Sequence, residues 1–142
     1  MDNYNETKKR LQLWELNKVY LESLKEKLEL LEKEYGLQGI SYDGIGGGSG
    51  EPSDSTGDTA MRLADKRRKL EYDIAKETQE LHHLERVISK LTEAEKKIII
   101  MFYPNRKSIK FIAKELTYSD IQIKRIKKEA MLKVIVGLYG RA

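Results

Sequence analysis

The residues with the most chemistry to offer crowd into one short stretch near the end of the chain: Ser119, Asp120, Ile121, Gln122, Lys124, Arg125 and Lys128. Their chemistry is recognition, not catalysis. A glutamine amide pairs with adenine, an arginine or lysine with guanine, and an isoleucine can touch a thymine methyl. Arg106, Lys107 and Ser108 stand just upstream and add charge and hydroxyl donors for a phosphate backbone. Backbone N–H groups beside Ser108 and Ser119 can serve the same end. No nucleophile, base and orienting group stand together, so no catalytic residue is assigned and no enzyme is expected. The chain has no Cys, which excludes disulfides, thiolate metal sites and a cysteine nucleophile. His82-His83 is no metal pair, because neighbours on a helix point about 100° apart. The run Gly46-Gly47-Gly48-Ser49-Gly50 lacks the Gly-Lys-Ser/Thr ending of a phosphate loop. Neither cofactor nor metal is expected.

Short, punctuated helices must position these residues. Thr92-Glu93-Ala94-Glu95 reads as a capping box, and the helix it opens runs through Ile98, Ile99, Ile100, Met101 and Phe102 to about Tyr103. Pro104 ends it. Ser108 caps a second helix whose Ile109, Ile112, Ala113 and Leu116 share one side. Thr117-Tyr118 turns the chain, and Ser119 caps a last helix that buries Ile123, Ile126, Ala130 and Val134. Two helices crossing at a steep angle need a small residue at their contact. Ala113 supplies it, with Ile112, Leu116, Tyr118, Ile123 and Ile126 at the offsets that lock the crossing. The pattern predicts a helix-turn-helix unit over residues 92–142.

This stretch resembles region 4 of sigma factors. Leu91-Thr92-Glu93-Ala94-Glu95-Lys96-Lys97-Ile98-Ile99 is similar to that region's opening helix. Ile112-Ala113-Lys114-Glu115-Leu116-Thr117-Tyr118-Ser119 is similar to its IA-x-x-L-G-V-S element, and Ile123-Lys124-Arg125-Ile126 through Ala130-Met131 to its V-R-x-I … A-L. Thr117 stands where that pattern has Gly. A β-branched residue is costly at positive φ, so this turn is expected to be built differently.

The rest of the chain is heptad-like. Trp14, Leu21, Leu24, Leu28, Leu31 and Tyr35 form one stripe, and Leu63, Leu70, Ile74, Leu81, Leu84, Ile88 and Leu91 a second. Asn17, Arg67 and Glu77 break the seams, marking register or the place where another helix or chain packs. The lone Trp14 reads as core, and the carboxylates around Glu22-Lys25-Glu26-Glu29 as solvated helix pairs. Between the stripes, residues 36–57 hold eight of the ten glycines together with Pro52, the composition of a flexible connection. The fold class expected is all-α: a long antiparallel, coiled-coil-like helical hairpin over residues 1–91, with its Gly/Ser-rich loop at 36–58, then the three-helix sigma-region-4-like domain at 92–142.

Charge follows the same division. Residues 90–142 carry 13 Lys or Arg against 5 Asp or Glu, or +8, while the whole chain is only +4. A polyanion partner, double-stranded DNA, therefore belongs with the C-terminal part. No apolar run approaches the roughly 20 residues of a membrane span, and the polar N-terminal residues do not read as a signal peptide. No membrane partner is expected.

The layout of a helical N-terminal part, a Gly/Ser-rich interruption and a region-4-like unit is similar to phage transcription regulators of the ArpU and RinA type. That resemblance implies a cytoplasmic activator of phage or prophage late genes, for packaging or lysis, working with RNA polymerase of the bacterial host. A homo-oligomer formed through the hairpin fits the same picture. Two other readings stand beside it: a small terminase-like DNA packaging subunit, and an interaction protein that engages polymerase or a sigma-binding partner. A complete sigma factor does not fit, since no aromatic-rich second module accompanies the heptads.

Overall fold

The computed structural model describes residues 2–35 and 54–140, which form six helices and no strand, as the all-α expectation requires. The helices are α1 (Asp2–Gln12), α2 (Trp14–Tyr35), α3 (Asp54–Ser89), α4 (Glu93–Phe102), α5 (Ile109–Leu116) and α6 (Asp120–Tyr139). The expected loop at 36–58 falls largely outside the described residues, together with its run Gly46–Gly50. Residues 54–58, placed in that loop by the sequence, belong instead to α3. One interior glycine costs a helix about 1 kcal/mol, little against the propagation of a 36-residue helix.

Leu13 interrupts what the heptads predict as one helix. Hydrogen bonding nevertheless continues through it: the Leu13 N–H reaches the Lys9 carbonyl at 2.9 Å and the Asn17 N–H the Leu13 carbonyl at 2.7 Å. The described residues pack as two compact units, Met1–Val19 with Gln79–Ala142, and Tyr20–Thr78. In the second unit Leu21, Leu24 and Leu31 of α2 are buried, while Leu63, Leu70 and Ile74 of α3 are half-buried. The seam-breaking Arg67 meets Glu32 at 3.3 Å and Glu71 at 3.5 Å. The half-buried charge is thus matched by two carboxylates, one from each helix.

The first unit holds the larger core: Leu11, Trp14, Leu81, Leu84, Ile88, Leu91, Ile98, Ile99 and Tyr103 are buried with the inner face of α6. Trp14 is core, as its seam position predicts, and the Lys18 ammonium lies 5.0 Å from its ring centre. Lys18 also pairs with Glu85 of α3 at 3.8 Å. His83, expected at the surface, is half-buried and donates from Nε2 to the Gly137 carbonyl at 3.0 Å. The end of α6 supplies unpaired carbonyls, and α3 passes close enough to satisfy one.

The capping box at Thr92 forms in both directions, with the Glu95 N–H to the Thr92 hydroxyl at 3.2 Å and the Thr92 N–H to the Glu95 carboxylate at 2.9 Å. Glu95 is buried and also clamps Lys133 of α6 at 2.8 Å. Burial by itself raises its pKa. The hydrogen bonds and charge from Lys133 and the Thr92 N–H outweigh that and hold the carboxyl below its ordinary value. A carboxyl with a depressed folded pKa stabilises the fold above its unfolded pKa, and the contribution is lost as pH falls through the folded value. Lys133→Met should therefore lower Tm at pH 7, by about 1–2 kcal/mol of stability. The gap to wild type should close on acidification to well below the ordinary carboxylate pKa. Thermal melts at several pH values read this directly; a gap that does not change with pH removes the assigned role.

Candidate nucleic-acid interface

Three elements build the surface on which the recognition residues lie. Ile98 of α4, Ile112 and Ala113 of α5 and Ile123 of α6 form one buried cluster, with Met101, Phe102, Ile109, Leu116, Tyr118 and Ile126 packed around it. Every apolar offset read from Ala113 takes part. Ala113 is only 5% exposed, so a larger side chain there would push α5 and α6 apart. Ser108 accepts from the Phe111 N–H at 3.1 Å and caps α5.

The turn between α5 and α6 differs from the expectation. Thr117 adopts the left-handed conformation itself, φ 58° and ψ 42°, so the turn keeps the backbone that glycine would favour. Its N–H and that of Tyr118 both reach the Ala113 carbonyl. The core contacts on either side hold the turn, and the β-branched residue bears the strain. Thr117→Gly should relieve it. The left-handed conformation costs an L-residue roughly 1–2 kcal/mol, and the added freedom of glycine in the unfolded chain takes back part of that. The expected net gain is about 0.5–1 kcal/mol, seen as a higher denaturation midpoint; a loss of stability would show the Thr117 side chain to be holding the turn. Arg106 is also left-handed, with φ 52°, in a loop closed by the Lys107 N–H to the Met101 carbonyl at 2.8 Å.

All ten candidate residues (Arg106, Lys107, Ser108, Ser119, Asp120, Ile121, Gln122, Lys124, Arg125 and Lys128) are exposed. They are not equivalent. At about 100° per residue, Asp120, Ile121, Lys124, Arg125 and Lys128 fall within an arc of roughly 140° on α6, whereas Ser119 and Gln122 lie outside it. Gln122 is occupied: its Oε1 accepts from the Ser119 N–H at 2.9 Å, while its own N–H reaches the Ser119 hydroxyl at 3.1 Å. This second capping box was legible as Ser-x-x-Gln. Pairing with adenine, which needs Oε1, would require Gln122 to release the cap. Lys107 extends over the Phe111 ring, 5.0 Å from its centre.

The electrostatics of the arc are simple. Arg106, Lys124, Arg125 and Lys128 make no ion pair among the described residues. Ile121 is 78% exposed, more than any other large apolar side chain described, and it sits among these free cations. Such a surface offers unneutralised charge, one carboxylate and one apolar contact on a rigid helix.

Position in sequence did not announce the role of α1, which packs against α6. Tyr4 of α1 lies beside the buried Tyr103 and shares a cleft with it, Lys124, Lys127 and Lys128. Burial, and secondarily the neighbouring Tyr4 hydroxyl, push the Tyr103 phenol well above its ordinary pKa. Among the described residues no helix is long and apolar enough to cross a membrane. Comparison with protein-family models, with curated proteins and with solved structures found no match to this chain.

Proposed function

We propose that the chain is a sequence-specific DNA-binding transcription regulator whose α4–α6 unit is a sigma-region-4-like helix-turn-helix, with the N-terminal half of α6 entering the major groove. The observation that carries this reading is the arc of Lys124, Arg125 and Lys128 around Ile121: exposed, free of ion pairs among the described residues, and carried by a helix whose opposite face is locked into the Ile98, Ile112, Ala113 and Ile123 cluster. A helix that presents free cations and one apolar contact on a rigid core has the parts that groove reading needs. Arg106 and Lys107, ahead of α5, fit phosphate contacts that set the docking angle.

The narrower role, activation of phage late genes together with host RNA polymerase, rests on the layout of the chain. A groove of about 570 Å³ in the same unit, lined by the apolar Val87, Leu91, Leu132 and Val136 together with Arg86, Lys90 and Lys133, supports a protein contact of that kind. The residues before α4 are read as an antiparallel helical hairpin. Exposed Leu30, Met61 and Tyr72 support self-association through the hairpin.

The test is selection of duplexes from a random-sequence pool, followed by titration of the enriched site at several salt concentrations. The reading expects one sequence to be enriched, with affinity that falls steeply with salt. Recovery of the unselected pool without salt-dependent binding would overturn it.

A further inference from the structure

Lys124 and Lys128 continue along α6 into Met131 and Ile135, at steps of four, three and four residues, so the four lie on one stripe of the helix. The first two are exposed and the last two buried. The stripe thus changes midway from a free cationic face to a covered apolar one, beside the place where α1 packs on α6. At the changeover lies a cleft of about 470 Å³ whose floor is the apolar Ile109, Met131, Leu132 and Ile135 and whose rim is Tyr4 of α1, Tyr103 and three lysines, Lys124, Lys127 and Lys128, with no carboxylate in its lining. Lys127 is half-buried, and its ammonium is held 4.1 Å from the centre of the Phe102 ring and 5.8 Å from that of Tyr103.

We propose that this cleft seats a phosphate of the DNA backbone, with the Lys127 ammonium and the Tyr4 hydroxyl as its donors. The inference rests on the DNA-binding reading and adds α1 to the interface. A groove-reading helix is fixed in register by backbone contacts on either side of its base contacts. Arg106 and Lys107 lie in the loop ahead of α5, and the cleft stands where the exposed stripe of α6 ends. Its charge is unopposed within the lining, as an anion requires. Lys127 stacked on aromatic faces loses less freedom on binding than a free lysine would. The Tyr4 phenol, partly exposed at 44%, can donate without adding charge. A DNA strand suits the cleft better than a free anion because the same stripe leads without interruption to Lys128 and Lys124.

Phosphate contacts carry no sequence information, so the probe is random-sequence duplex DNA, titrated against the full chain over a range of salt. Lys127→Gln should weaken binding about threefold or more and reduce the slope of log affinity against log salt by about 0.9, the value of one phosphate contact. Lys127→Arg should restore both. Tyr4→Phe should weaken binding by a similar factor with the slope unchanged, since a neutral donor releases no counterion. Thermal melts of each variant separate loss of contact from loss of fold. If Lys127→Gln and Tyr4→Phe match wild type in affinity and slope while Lys124→Ala with Arg125→Ala does not, the cleft is not part of the interface and the DNA-binding reading stands. If wild type itself shows no salt-dependent binding, both fall.

Discussion

Replacing Lys124 and Arg125 together by alanine should remove sequence-specific binding and leave the fold untouched. Each good base contact contributes roughly 1–3 kcal/mol, so loss of the pair corresponds to a Kd increase on the order of a thousandfold. The specificity of the result comes from where these side chains sit. Both are exposed on α6, neither forms an ion pair among the described residues, and the buried face of the helix is carried by Ile123, Ala130 and Val134. Alanine also favours the helix. Circular dichroism and Tm should therefore match wild type while binding to the enriched duplex is lost. Replacing Ile121 by alanine should do less, weakening only those sites that present a thymine methyl at its position. A double variant that binds like wild type at every salt concentration would contradict the groove-reading role of α6.

Gly137→Ala should destabilise the first unit, although glycine to alanine in a helix usually does the reverse. In α6 the exchange would ordinarily yield about 1 kcal/mol from helix propensity. Here a Cβ on Gly137 would lie 2.6 Å from Val87 Cγ1, 2.8 Å from Cγ2 and 3.2 Å from Cβ. Val87 is β-branched and has little rotamer freedom within α3, so the two helices must separate. Overpacking of this kind costs about 1–3 kcal/mol, occasionally more. Contact at 2.6 Å with a stiff neighbour belongs toward the upper end, so the clash outweighs the propensity gain. Separation would also stretch the bond from His83 to the Gly137 carbonyl. The decisive measurement is a double-mutant cycle with Val87→Ala. In that background both methyl groups are gone and only the 3.2 Å approach to Cβ remains, so the Gly137→Ala penalty should shrink to near zero. A penalty that persists undiminished without the Val87 methyls would mean that something other than this contact requires glycine.

Both predictions concern α6, and they show how unevenly its roles could be read from sequence. The caps at Thr92, Ser108 and Ser119, the small contact residue Ala113 and the apolar offsets around it are local patterns. They depend on helix period and on hydrogen bonds a few residues apart, so their spacing alone located three helices and their buried faces. The cationic arc followed as the face left over. Gln122 was legible as a cap and as a base reader alike. Only its observed bond to the Ser119 N–H tells which of the two it makes in the free chain. At Thr117 the residue type argued against a left-handed turn, and the turn is left-handed all the same. Packing of Ile112, Ala113, Leu116 and Tyr118 on its two sides outweighs a local preference of about 1–2 kcal/mol.

The sequence by itself determined what depends on short range: helices in place of strands, their caps and stops, which face of each is apolar, and a surplus of positive charge in residues 90–142. Tertiary structure decided what depends on distant residues meeting. It brought α1 onto α6 and so put Tyr4 in one cleft with Lys127, paired the buried Glu95 with Lys133, turned His83 toward the Gly137 carbonyl, and brought α3 and α6 too close at Gly137 for a side chain. None of these contacts leaves a periodic trace. A helix shows in sequence which face is apolar, whereas the identity of the helix that covers it follows from how all the apolar faces are buried together.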